Sequence, residues 1–362
     1  MANTKKPVIP FQQVLNFLLD MNKPFPPVHY HRFSDLSGNE LNQFKEIWPK
    51  VDPDRRLAIA EDLEELVESD TLVSFDELAK FALEDSDPRV RATAVRIFWE
   101  NEDPWLAGTF IKMMEKDADD VVRASAAAAL GLFIYLGEMD KISPLLKKRV
   151  EDSLFAVHQG SDVPLVRRRA LESLGYSSRQ EVGPLLKAAL KSHDTEWRAS
   201  ALFAMGRSAD DQWSPTILQK LSDSDMEVQL EAVRAAGQLE LVSAREPLLR
   251  MLDQTDELDE DVRMAAIWSL SQIGGENVRA VLEHMQEETE DEDEADFIEL
   301  AIDNLALVQD IPGIGMFDPL AGLDLEGHAR VVDLSEQEND GYENGDEADE
   351  DLPPEEDRDQ VD

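Results

Sequence analysis

Arginine recurs in this sequence at Arg91, Arg123, Arg167, Arg198 and Arg263, and aspartate stands four residues earlier at Asp87, Asp119, Asp194 and Asp259. Glutamine replaces arginine in one copy, Gln229, which keeps its aspartate at Asp225. Guanidinium and carboxylate form charge-assisted, often bidentate hydrogen bonds. A fixed spacing of the two therefore predicts a structural ladder of ion pairs between neighbouring units rather than a catalytic group. The same aspartates also stand where a helix N-cap is wanted.

The other residue types capable of chemistry are sparse. The histidines are His29, His31, His158, His193, His284 and His328, and only His29 and His31 form a close pair, in the proline-rich stretch KPFPPVHYHRF. With no carboxylate or third histidine at ligand spacing, they read as surface residues and no metal is expected. The acidic run EETEDEDEADF at 287–297 lacks the glycine and alternating ligands of a calcium loop and reads as a solvated loop. Gly313-Ile314-Gly315 is a turn rather than a phosphate cradle. No catalytic constellation and no cofactor motif are present, so catalytic residues and cofactors are both expected to be none. Lys147-Lys148-Arg149 and Arg167-Arg168-Arg169 make a modest basic patch, 11 Lys/Arg against 7 Asp/Glu over 141–198. The net charge of −43 opposes nucleic acid as a partner.

The element that carries the arginine is a repeated phrase. Its copies read DPRVRATAVRIFW, DDVVRASAAAALG, DVPLVRRRALESLG, DTEWRASALFAMG, DMEVQLEAVRAAG and DEDVRMAAIWSLS. Alanine follows the aligned position by three residues throughout, at Ala94, Ala126, Ala170, Ala201, Ala232 and Ala266. A small residue fixed in a helical phrase marks a close packing contact, and stacked helical repeats need one per unit. The intervals of 32, 44, 31, 31 and 34 residues suit a pair of short helices, with the longest one adding residues around Leu132–Gly160. Pro104, Pro144, Pro184, Pro215 and Pro247 are placed near the start of the first helix of a unit. Glycine or serine at 131, 175, 206, 237 and 271 is expected to permit close helix approach. Weaker copies at 52–63 and 296–306 read as end caps.

The phrase D-x-x-V-R-x-x-A, followed by a turn and P-L-L, resembles HEAT-type repeats of the short bacterial variety associated with phycobilisome lyases. The resemblance covers roughly residues 50–306. It implies an all-α, right-handed α-α superhelix; residues 335–362, with 14 acids in 28 positions and almost nothing to bury, are expected to form a disordered acidic C-terminal tail. The divisions expected are a helical extension with a proline-rich loop (1–50), the repeat array (51–306, about eight helical pairs), a glycine-interrupted apolar linker (307–334) and the acidic tail (335–362). HEAT-like relatives include bilin lyases, deoxyhypusine hydroxylases and alkylpurine DNA glycosylases. The His-Glu dipeptides repeated in the hydroxylases are absent from this chain.

Without cysteine, disulfides and thiolate metal sites are excluded, which suits the cytoplasm. No stretch of about 18 uninterrupted apolar residues predicts a membrane span. Charge is uneven: residues 1–250 carry 31 Lys/Arg and 41 Asp/Glu, a net of −10, and residues 251–362 carry 4 and 37, a net of −33. The expected function is therefore a non-enzymatic scaffold that binds a protein or peptide. Its groove is read from positions two, five and nine after the aligned residue, which the resemblance places on the concave side. They give Arg96, Arg169, Tyr176, Phe203, Arg207, Arg234 and Trp268, all expected to be exposed, with the acidic tail as an internal competitor for the arginines. The alternative is a divergent enzyme of the lyase or hydroxylase type, and a third reading, ranked below it, is a nucleic-acid-associated HEAT-like protein that uses the 141–198 patch.

Overall fold

A computed structural model describes residues 9–253 and 258–310; the tail and most of the linker lie outside the described residues. The helices are α1 (Phe11–Leu19), α2 (Gly38–Ile47), α3 (Pro53–Ser69), α4 (Asp76–Ala82), α5 (Pro88–Arg96), α6 (Pro104–Lys116), α7 (Asp120–Glu138), α8 (Pro144–Gln159) and α9 (Pro164–Leu174). They continue as α10 (Val182–Ala189), α11 (Thr195–Gly206), α12 (Ser214–Lys220), α13 (Met226–Gln238), α14 (Arg245–Leu252), α15 (Glu260–Ile273), α16 (Val278–Glu288) and α17 (Glu292–Asp310). Short 3₁₀ turns join some of them, and there is no strand among the described residues. The odd-numbered helices from α3 to α17 pack in series as one layer, and the even-numbered helices cover them as a second layer. The array is a right-handed α-α superhelix, as the repeat implied.

Side-chain size explains the stacking. Every alanine of the repeated column, from Ala94 to Ala266, is fully buried. Glycine does the same at the helix ends: a Cβ on Gly175 would lie 2.8 Å from the Ala204 Cα, and one on Gly206 would lie 2.9 Å from the Ala235 Cα. The long second interval is absorbed by lengthening both helices, 19 residues in α7 and 16 in α8. By length and composition α7 could cross a membrane. Its apolar residues Val122, Leu130, Phe133 and Ile134 are instead buried against α5, α6, α8 and α9.

Aspartate starts the helices as expected. Asp87, Asp119, Asp194 and Asp259 accept the Arg89, Val121, Glu196 and Asp261 amides at 2.9–3.1 Å, each bond contributing about 1 kcal/mol. Pro104 and Pro144 open their helices, Pro215 is second in α12, and Pro184 and Pro247 are third. The acidic run at 287–297 differs from the solvated loop expected. Most of it lies in α16 and α17, because Phe297 is drawn into the core against Trp268, ring centroids 6.1 Å apart.

The amino-terminal segment belongs to the same core. Phe44 packs on Trp48, whose Nε1 donates to Asp85 at 2.7 Å. His29 corrects the reading of both early histidines as surface groups. It is 4% exposed, against Phe17 and Phe25 at centroid distances of 4.9 and 5.8 Å, whereas His31 is exposed. Neither His29 ring nitrogen has a hydrogen-bond partner among the described residues, and burial lowers its pKa below the ordinary 6.5. The fold thus favours neutral His29. Its contribution to stability is complete above about pH 6.5 and falls as pH drops toward the lowered folded-state value. Thermal melts from pH 7.5 to 5 should show His29→Phe losing less stability on acidification than the wild type. Parallel curves would show that His29 titrates alike in the folded and unfolded chain.

Candidate functional site

Two sets of arginines leave the odd-numbered layer in different directions, and their partners separate structure from function. The first set is the ladder. Arg91 binds Asp117 through both Nε and Nη2, at 2.9 and 2.7 Å, and its Nη1 reaches the Asp85 carbonyl at 2.8 Å. Arg123 repeats this on Asp162 at 2.9 and 2.8 Å, Arg198 binds Asp225 at 2.9 Å, and Arg263 pairs with Glu294. Each guanidinium therefore ties the turn of its own unit to the next unit.

Asp87, Asp119, Asp194 and Asp259 are consequently caps rather than rungs. The rungs are Asp85, Asp117 and Asp162, with Arg56 of α3 starting the series on Asp85 at 3.0 Å. The sequence signal overlooked is a D-x-D pair. In Asp85-Ser86-Asp87 and Asp117-Ala118-Asp119 the first carboxylate takes the ladder arginine and the amide of the second, while the second caps the helix. Arg167 departs from the ladder: its Nε donates to the His158 carbonyl at 2.9 Å, and its guanidinium lies 5.4 Å from the Trp197 ring. Gln229 bonds the Leu221 carbonyl in place of an acid. Asp225 is shared by Arg198 and Thr195 and makes no cap.

The second set is the row expected to line a groove. Its residues lie on α5 and then, skipping α7, on α9, α11, α13 and α15 or just past the ends of α9 and α11, but several are not exposed. Phe203 is 8% and Trp268 1% exposed, because neighbouring helices of the stack close over large rings at the fifth position. Arg169 and Arg234 are also buried, each bound to the glutamate three residues away: Arg169 to Glu172 at 2.6 Å and Arg234 to Glu231 at 3.1 Å. Arg96 is held by Glu64 at 2.5 and 2.8 Å. Tyr176 is half-buried, and Arg207 lies over Phe203 at 3.9 Å and over Tyr176 at 5.0 Å.

Arg207 differs from the other three arginines. It makes no ion pair among the described residues and is held only by ring faces. Glu172 and Glu231 flank its charge, and their environments diverge. Burial opposes ionisation of Glu172, but Arg169, the Ser200 hydroxyl at 2.5 Å and Arg207 outweigh it and lower the pKa. For Glu231 burial prevails, helped by the Glu172 charge, and raises the pKa against Arg234. Beside them, Glu231 Oε2, Arg234 Nε and Trp268 Nε1 are buried without a hydrogen-bond partner. Unpaired buried polar atoms are uncommon and costly, on the order of 1–3 kcal/mol each. The row from α9 to α15 therefore combines a ring-stacked cation with unused donors, a combination that suits a carboxylate or a line of backbone carbonyls. Among the described residues, no group of three histidine or acidic side chains is placed to hold a metal ion.

Part of the basic patch over 141–198 is paired within the fold. Lys147 pairs with Glu138, Lys148 with Asp152, Arg168 with Glu196 and Arg169 with Glu172.

The sequence model of the family described as HEAT repeats matches residues 75–157 and 214–302. These spans contain the ladder pairs Arg91–Asp117 and Arg263–Glu294. The matched spans are HEAT repeats. The unmatched interval, 158–213, holds Arg167, whose bonding departs from the ladder. No curated protein matches the chain. Among solved structures, the HEAT-repeat chain is similar to the E. coli protein YibA, with 18% identity, 78% of this chain and 98% of that one covered, and a TM-score of 0.39. It is similar to the CpcE–CpcF phycocyanin lyase of Nostoc sp. PCC7120 at 22% identity, over 64% and 94% of the two chains, with a TM-score of 0.42. Human deoxyhypusine hydroxylase follows at 16% identity, over 73% and 95%, with a TM-score of 0.31. None of these similarities carries an activity to this HEAT-repeat chain.

Proposed function

We propose that the protein is a non-enzymatic cytoplasmic scaffold that captures an extended, carboxylate-bearing segment of a partner protein along the α9–α15 row. The observation that carries this reading is the set of unused polar groups around Arg207. Arg207 is stacked on ring faces and makes no ion pair among the described residues, although the Glu172 and Glu231 carboxyls feel its charge. Arg234 Nε and Trp268 Nε1 are buried donors without acceptors. A segment laid across the odd-numbered helices offers a carboxylate to Arg207, and its carbonyls reach the two buried donors where the side chains covering them yield. Arginine and large aromatic residues are also the types most enriched at the energetic centres of interfaces. Arg96, Arg169 and Arg234 act differently from the role expected of them: their carboxylate partners orient the row and leave Arg207 to meet the ligand.

Selection of random fifteen-residue peptides on the full chain tests this. Enriched peptides should carry Asp or Glu, and their affinity should fall about tenfold or more in Arg207→Glu, the scale of a lost charge-assisted hydrogen bond. Trp268→Phe keeps the buried ring and removes only its donor, so it should weaken the same peptides by a smaller factor with an unchanged circular dichroism spectrum. Failure to enrich any peptide, or equal affinity in Arg207→Glu, would overturn the proposal.

A further inference from the structure

A second charged surface lies on the even-numbered layer, away from the α9–α15 row. On α6, Trp105, Thr109, Lys112 and Lys116 follow one another at spacings of four, three and four, which places them on one helical face. With Lys80, Leu83 and Glu84 at the end of α4 they line an open cleft of about 400 Å³. Its floor is apolar, formed by buried Leu83 and Met113, and Trp105 forms a wall that is 52% exposed. Lys80 is paired with Glu77, and Asp117 at the cleft edge is taken by Arg91. Lys112 and Lys116 are exposed and make no ion pair among the described residues. In a chain of net charge −43, two free ammonium groups beside an exposed tryptophan ring outnumber the one exposed carboxylate of the lining, Glu84, and form a local reversal of sign.

The chain carries a complement to this cleft. Residues 335–362 hold 14 acids and one arginine, with Tyr342 and Leu352 as bulky apolar interruptions. No lysine occurs after Lys220, so the segment has no amine with which to neutralise itself. We propose that this acidic segment docks in the Trp105–Lys112–Lys116 cleft of its own chain. Its carboxylates pair with the two free lysines, and an apolar side chain, Tyr342 or Leu352, covers Trp105 and the Leu83–Met113 floor.

Length permits the contact. Helix α17 ends at Asp310, and 24 residues separate it from the acidic segment. Extended, they span up to about 80 Å. Five helix steps along the odd-numbered layer, from α17 to α7, cover about 45 Å at 8–10 Å each. Tethering raises the effective concentration of weakly bound carboxylates. The cleft is preferred over the α9–α15 row because two of the row's three arginines, Arg169 and Arg234, already hold in-chain carboxylates, whereas Lys112 and Lys116 hold none.

A carbodiimide, which joins an amine directly to a neighbouring carboxylate, reads the contact in the intact chain. At dilute protein concentration, mass spectrometry should find carboxylates of residues 335–362 joined to Lys112 or Lys116. The yield should be about fivefold or more above that at exposed Lys23, Lys50 and Lys191, as a tethered contact requires. Trp105→Ala keeps both amines and should lower that yield, and high salt should lower it further. An even spread over all exposed lysines would overturn the proposal, as would a yield indifferent to Trp105→Ala. Cross-links that join two copies instead would assign the cleft to the segment of a second molecule and overturn docking within one chain. Peptide capture by the α9–α15 row is measured separately and stands or falls without this result.

Discussion

Arg56→Ala is expected to destabilise the protein by about 3–5 kcal/mol, the scale for removing one partner of a buried ion pair. The Arg56 and Asp85 side chains are 5% and 4% exposed, and the guanidinium also donates to the Val51 carbonyl at 2.7 Å and the Ser86 hydroxyl at 3.2 Å. Removing it leaves a buried carboxylate with the Trp48 Nε1, the Asp87 amide and a long 3.4 Å bond from the Ser86 hydroxyl but no cation, and an orphaned carbonyl besides. The internal control joins the same two units: Arg89 of α5 pairs with Asp54 of α3, with side-chain exposures of 48% and 82%. Arg89→Ala should change the urea midpoint little, because water screens exposed pairs. Equal losses in the two variants would show that burial does not govern the ladder's contribution.

Alanine at two helical glycines should have opposite effects. A Cβ on Gly237 would stand 2.8 Å from the Ser269 Cα and 2.7 Å from its Oγ, which is engaged with the Val233 carbonyl at 2.9 Å. Gly237→Ala must push α13 and α15 apart, at a cost of about 1–3 kcal/mol. Gly108, inside α6, has nothing within 4 Å of its notional Cβ. There Gly108→Ala should stabilise by about 0.5–1 kcal/mol through helix propensity. Thermal denaturation of the two variants decides the matter. A gain at both positions would mean that the repeated glycine has no packing role.

The parts of this architecture legible in the sequence are those fixed by local rules. The alanine column, aspartate caps and glycine contacts each recur at one position per unit, so periodicity alone revealed them. The ladder was legible in kind but not in its rungs, because a D-x-D turn offers two carboxylates and helix phase alone does not say which faces the next unit. Exposure in the second arginine set was misjudged for a related reason. Helical phase aims Phe203 and Trp268 away from the alanine seam, yet how deeply they lie depends on the adjoining helices. His29 was illegible because its shell, Phe17 and Phe25, comes from segments that meet only after folding. The Trp105 stripe on α6 was present in the sequence, but its partner wall is α4, and only their juxtaposition makes a cleft.

Asp225 gives one junction of the stack a property that the others lack. Its carboxylate is engaged by Arg198 and Thr195 from the preceding unit and leaves the first amides of its own helix without a side-chain acceptor. If a proteolytic or genetic cut removes everything before α12, those two groups disappear and the carboxylate is released to turn back onto the α13 amides. The shortened fragment thereby recovers about 0.5–2 kcal/mol at the very end that the cut exposes. Asp119 has no such reserve, since it already serves its own helix. Asp225 thus gives to the preceding unit the carboxylate that Asp119 gives to its own helix.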